Sequence, residues 1–334
     1  MTDKQIRQLA VLFIAVFLLF VPSVSSSLDS DFAVWLEELK AEARAKGISD
    51  ETLDFALTGL QPIPRVIKLD RNQPELKQDF QSYLNMRISE DRIKQGRKLL
   101  MEHRELLEKI KDRYGVPPRY LVAIWGLETS FGKYLGDFPV IGSLATLAYD
   151  ERRSDFFRAE LINALTIVDE GHIKAADMLG SWAGAMGQVQ FMPSTFVLYA
   201  TDADKDGRKD IWNSYPDIFE SAANYLAKSG WERGFIWGRQ VMLPPGINFK
   251  LAGLDTEKTL SEWQGMGLRR INGNNLPEGD IKASLILPDG NDAPAFLVYP
   301  NYRVIMKWNR SHHYAITVGH LADRIIGKAP LTLR

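Results

Sequence analysis

The first hydrophobic feature is an unbroken apolar run over residues 10–21, set behind Lys4 and Arg7 and ended by Pro22. Val24-Ser25-Ser26-Ser27 then supplies small residues of the kind a leader peptidase accepts. A basic start, a short apolar stretch and a small-residue site make a secretory leader. Twelve residues fall short of the about twenty needed to span a bilayer. Residues 1–27 are therefore expected to be a cleaved signal peptide that sends the chain to the periplasm. No cysteine follows the run, which excludes a lipid anchor on a thiol.

From residue 31 the period becomes helical. Phe32, Trp35, Leu36 and Leu39 lie at i, i+3, i+4 and i+7. Ser49 is placed to cap a second helix, with Asp50 and Glu51 in its first turn. Residues 61–78 contain three prolines and predict an extended connector. Ser89 predicts the start of one long charged helix that runs to Tyr114 and is stopped by Gly115. Pro117 and Pro118 open the next helix, where a missing N–H costs nothing. Residues 154–170 and 217–228 predict two more. Beyond Gly230 the pattern shortens into β-rich runs at 239–243, 281–287, 296–298 and 304–307, separated by turn residues such as Pro288-Asp289-Gly290. A final helix is expected over 314–326. The chain reads as α+β, mainly α: a helical body with a small late sheet.

Composition narrows the function. The 334 residues are 45% apolar and 25% charged, which excludes disorder as the main state. The formal net charge of −1 argues against a phosphate-neutralising nucleic-acid binder. The absence of cysteine removes disulfides, zinc–thiolate sites and Cys nucleophiles. There is no GxSxG elbow, no GxxxxGK[ST] loop and no HExxH. His312 and His313 are adjacent and point apart, so they do not make a zinc site.

Three segments carry candidate chemistry. In the first, Leu121, Ile124 and Trp125 mark an apolar helix face, and Glu128 falls on that face near the helix end. A carboxyl buried there without a basic partner protonates more readily, and a neutral carboxyl near pH 7 is what a general acid needs. Pairing with a cation, or an early helix end, is the plainer explanation of the same pattern. The second segment, residues 181–196, combines Gly184 and Gly187 with Gln188, Gln190, Trp182 and Phe191. Small residues allow close approach, amides meet hydroxyls and flat rings meet sugar faces; a tight contact between helices would use the same residues. In the third, Asp202, Asp204 and Asp206, followed by Gly207, occupy positions 1, 3, 5 and 6 of an EF-hand-like loop. Asn213 stands where such a loop has its bidentate Glu, so the expected ion is a structural calcium at most.

Taken together and in this order, Glu128-Thr-Ser-Phe-Gly, the 181–194 block, the acidic loop, Asn224-Tyr225 and Asn309-Arg-Ser-His-His-Tyr-Ala resemble the lytic murein transglycosylase B family. The likeness extends over residues 31–327. It implies a lysozyme-like helical core with a helical accessory region and a small β region. The divisions would be 28–115 accessory, 116–235 catalytic core, 236–307 β-rich, and 308–334 returning to the core. It implies non-hydrolytic cleavage of the MurNAc–GlcNAc bond of peptidoglycan strands, with 1,6-anhydro ends, and no cofactor for the chemistry. Glu128 would be the single catalytic acid. Ser181, Gln190, Phe191, Tyr225, Asn309 and Tyr314 would line the cleft. Asp202, Asp204, Asp206, the Arg208 carbonyl and Asp217 would hold calcium. A hydrolytic muramidase on the same scaffold would need a second carboxylate, for which Asp150, Glu151 and Asp155 are nearest in sequence. A non-catalytic peptidoglycan-binding protein would have no use for Glu128.

Overall fold

The computed structural model describes residues 25–72, 78–291 and 294–333. Nearly all of the expected leader lies outside them. Among the described residues no helix is long and apolar enough to cross a membrane.

Two helices, α1 (Ser25–Ala45) and α2 (Asp50–Leu57), begin the described chain. Phe32, Leu36 and Leu39 are buried as their spacing requires. Ser49 caps α2, and its hydroxyl donates to Asp169 at 2.5 Å, which ties α2 to a residue 120 positions further on. The proline-bearing stretch is not extended throughout. Pro64 sits at the first position of α3 (Pro64–Arg71), where its ring suits a helix start. Asp79 caps α4 (Phe80–Arg87).

The single long helix expected after Ser89 is two, α5 (Glu90–Glu102) and α6 (Arg104–Tyr114). The break falls at His103, whose ring packs against Trp125, Tyr215 and Phe219. Breaking there lets both segments lie against α7 (Pro118–Thr129). That helix is the axis of the molecule: every residue from Tyr120 to Leu127 is buried. The next elements are β1 (Phe138–Pro139), α8 (Val140–Tyr149), α9 (Ser154–Asp169), β2 (Leu179–Gly180), α10 (Pro193–Tyr199) and α11 (Tyr215–Lys228). Strands β1 and β2 pair antiparallel, with Phe138 opposite Gly180.

The late sheet has five antiparallel strands: β3 (Gly238–Met242), β4 (Lys258–Thr259), β5 (Arg269–Arg270), β6 (Lys282–Ile286) and β7 (Ala295–Val298). Their order is β4-β6-β7-β3-β5. With α12 (Leu260–Gly265) they enclose a separate small core around Trp263, Leu285 and Leu297. The fourth expected strand, 304–307, is instead part of α13 (Pro300–Trp308). Pro300 starts that helix, and Asn301, Tyr302, Val304 and Ile305 form its buried face at helical spacing. The chain ends with α14 (His312–Ile325), which packs along α7.

Candidate active site

Glu128 stands where α7 emerges from the core. The helix stops two residues on because Ser130 and Phe131 both take left-handed backbone conformations, at φ 50° and 62°. Phe131 folds back over Gly126, where a Cβ would lie 2.8 Å from its ring. This reversal leaves the half-buried carboxyl of Glu128 facing the segment between α13 and α14.

Two donors, one from the last residue of α13 and one from the first turn of α14, meet the carboxyl. Tyr314 Oη donates to Glu128 Oε1 at 2.5 Å, and Trp308 Nε1 donates to the same oxygen at 3.0 Å. Tyr314 is fixed in the first turn of α14, where Ser311 caps the helix and accepts from the Tyr314 amide. Burial pushes Glu128 up to about 7, against the opposing pull of the two hydrogen bonds and of the Arg87 charge. Burial and the neighbouring carboxyl push Tyr314 far above the ordinary phenol range, so it remains a donor. A protonated Glu128 keeps its proton on Oε2, because Oε1 already accepts twice.

Aromatic rings extend the site. Trp308 lies 5.3 Å from Phe191 and 4.9 Å from Tyr225, measured between ring centroids. Tyr225 donates its hydroxyl to the Lys307 carbonyl at 2.7 Å, which fixes the end of α13. Phe191 is 2% exposed, so its ring supports Trp308 and Tyr225 from beneath. Ser181 Oγ accepts from the Ala185 amide at 3.0 Å, which leaves its proton to be donated. Gln190 stands at φ 51° and gives its side-chain nitrogen to the Leu135 and Gly187 carbonyls. Asn309 is exposed between the two C-terminal helices.

The glycines of this block admit protein rather than ligand. A Cβ at Gly184 would meet Leu144, and one at Gly187 would meet Ile211. Gln188 is likewise internal. Its oxygen accepts from Trp125 Nε1 at 2.7 Å and its nitrogen donates to the Trp212 carbonyl at 2.7 Å. It therefore joins α7 to the far end of the acidic loop. Trp308 joins the site by its hydrogen bond and Arg87 acts on Glu128 through its charge, and neither is singled out as a site residue by the sequence. Their sequence separations from Glu128 leave no local pattern to read, although Trp308 does open the Asn-Arg-Ser-His-His-Tyr tract.

The donor set of the acidic loop suits a hard cation in three of its carboxylates. Oxygens of Asp202, Asp204 and Asp217 lie within 4.8 Å of one another. An ion with oxygen ligands at about 2.4 Å fits such a group. Asp217 is fully buried, and both its oxygens accept backbone amides, from Ala203 and Asp210 at 2.7 Å each. Asp206 is turned away and accepts from the Arg208 amide and guanidinium. His312 and His313 do point apart, to Tyr302 and to Asp289.

A buried central helix that ends in one acid, beside a short hairpin and under a helical wall, puts the chain in the lysozyme-like class. The chain belongs to the transglycosylase SLT domain family, which residues 31–323 match. It is similar to SltB3 from Pseudomonas aeruginosa, solved with NAG-anhNAM-pentapeptide, at 46% identity and a TM-score of 0.86 over 89% of this chain and 80% of that one. It is also similar to Slt35 from Escherichia coli, solved with calcium, at 28% identity and a TM-score of 0.76 over 87% and 92%. Membrane-bound lytic murein transglycosylase B of Escherichia coli K12 is 32% identical over 251 residues, 71% of this chain and 65% of the relative. The chain thus spans just under two thirds of that relative's length.

Proposed function

We propose that this protein is a lytic transglycosylase that cleaves the β-1,4 bond between MurNAc and GlcNAc in peptidoglycan strands without adding water. The observation that supports this reading best is Glu128: one carboxyl, raised by burial to about 7, with one oxygen held by Tyr314 and Trp308. An acid at that value is half protonated at neutral pH and able to act in both directions.

Glu128 Oε2 gives its proton to the glycosidic oxygen as the bond from that oxygen to C1 breaks. The substrate's own 2-acetamido oxygen stabilises the positive charge at C1. Glu128, now a carboxylate, removes the proton of the C6 hydroxyl, and O6 closes on C1. The acid ends protonated, as it began. Ordinary glycosidases need a second carboxylate to attack or to activate water. Here Asp150 is engaged with Arg71, and Glu151 and Asp155 are exposed. Ser181 and Asn309 hold the acetamido group or the C6 hydroxyl. Gln190, Tyr225 and Tyr314 line the cleft, and Phe191 acts through the rings above it. Calcium, held by Asp202, Asp204 and Asp217 with the Arg208 carbonyl, would neutralise the loop and hold it shaped. The substrate places the protein in the periplasm, which agrees with a leader at residues 1–27.

The test is digestion of purified sacculi, with Glu128→Gln alongside, followed by mass spectrometry without reduction. Products one water lighter than reducing fragments are expected from the wild type and none from the variant. Reducing ends of full mass would make the protein a hydrolase. Binding without products would make it a wall-binding protein.

A further inference from the structure

Arg87 ends α4 with its side chain half-buried. Its guanidinium carbon lies 5.3 Å from the centre of the Tyr83 ring. Its backbone is anchored to the site: Arg92 donates one nitrogen to the Arg87 carbonyl and the other to Ser130 Oγ at 2.9 Å, two residues past Glu128. The Arg87 Nε is buried and has no hydrogen-bond partner, and Arg87 joins no ion pair among the described residues. Other arginines near the body of the fold are spent: Arg152 and Arg153 both hold Asp70, and Arg324 holds Glu90. Tyr83, beneath the guanidinium, lies 5.6 Å from the ring of His313, the neighbour of Tyr314, so this end of α4 packs at the start of α14, and the Arg87 charge pulls both Glu128 and Tyr314 downward. When Glu128 is protonated this cation has no ion-pair partner among the described residues, and an unpaired, half-buried cation draws an anionic group.

We propose that Arg87 receives a free carboxylate of the peptide substituent on the substrate's muramyl residue, and so selects strands that carry peptides. This rests on the proposed transglycosylase reading. The acid acts at C1 of the muramyl ring, and the peptide leaves the same ring through the lactyl group on C3. A group beside the acid is therefore within reach of the first residues of that peptide, which carry free carboxylates. A guanidinium meets a carboxylate with two parallel bonds, and half-burial strengthens them.

The experiment measures binding, so it does not depend on which bond is cut. Calorimetry compares GlcNAc–MurNAc-pentapeptide with the same disaccharide lacking peptide, on Glu128→Gln protein with and without Arg87→Gln. The peptide should tighten binding to the single variant, and Arg87→Gln should reduce that advantage by about tenfold. Arg87→Lys, which keeps an aliphatic stem on Tyr83 and a point charge, should retain part of it. Circular dichroism melts show whether each variant is folded. An unchanged peptide advantage in Arg87→Gln overturns the proposal, and so does an equal loss for both ligands. Failure of the sacculus digest to yield anhydro products would remove the reaction but leave the binding ratio standing.

Discussion

The Tyr314 hydroxyl and the Glu128 carboxyl meet at 2.5 Å across 186 residues of sequence. The phenol stays protonated, so it can only present its hydrogen to Glu128 at working pH. Because Trp308 also donates to Oε1, that oxygen acts as the carbonyl of the neutral acid. The C-terminal helix thus decides which oxygen of Glu128 carries the proton.

Glu128→Gln should abolish cleavage and stabilise the fold. An amide oxygen accepts from Tyr314 and Trp308 as the acid does, without the burden of a buried charge. The folded value of about 7 lies above the ordinary 4.5. The contribution of this group to stability is therefore complete below pH 4.5 and is lost as pH rises through 7. The variant should match the wild type near pH 4 and exceed it by about 3 kcal/mol at pH 8. Urea titrations at the two pH values measure this; equal gaps at both would remove the buried-acid assignment.

Activity should follow the same group. The first step needs the protonated acid, so kcat/KM should fall on the alkaline side with a midpoint near 7. Rates on solubilised glycan strands from pH 5 to 9 give the profile. A plateau to pH 9 would mean that the proton comes from elsewhere.

Tyr314→Phe removes one bond that favours the charged form of Glu128. The alkaline midpoint should therefore move upward. The rate on the plateau should fall by about tenfold, since Oε1 no longer has its stronger donor and the proton is shared between the two oxygens. A downward shift of the midpoint in the same pH series would contradict the geometry.

Gln188→Leu tests the link between the acid's helix and the loop. The change strips a buried Trp125 N–H and the Trp212 carbonyl of their partners. Loss of two such bonds should cost about 2–4 kcal/mol, read from the shift of the urea midpoint.

Much of this site was legible because its residues break a local pattern. Glu128 stood out as a carboxylate among apolar neighbours, although α7 is buried all round and the acid simply marks where it surfaces. The caps at Ser49 and Ser89 and the stop at Gly115 are local signals and appear where expected. What needed tertiary knowledge was not legible. The break at His103 follows from rings contributed by α7 and α11. Residues 304–307 look like a strand by side-chain type, yet Pro300 and the buried row at 301, 302, 304 and 305 make a helix. Gln188 and Phe191 looked like ligand-facing groups, but their partners inside the fold come from α7, the acidic loop and α13.

The acidic loop gives the last prediction. Asp217 closes the loop through two backbone amides, from Ala203 and Asp210. The carboxylates of Asp202, Asp204 and Asp217 nevertheless repel one another within 4.8 Å, and a divalent cation would relieve that. Loops of this kind in extracellular modules bind calcium at about 0.1–1 mM. Addition of 10 mM calcium should then raise the melting temperature by about 4 °C, and a chelator should reverse it. Asp204→Ala should lose the calcium response while it keeps both Asp217 bonds, which separates loss of the ion from loss of the loop. An equal calcium shift in that variant would place the ion elsewhere. The chelated wild type should still cleave glycan, because the loop is joined to the acid's helix through Gln188, which meets Trp212, Trp125 and Thr129, and not through Glu128 itself.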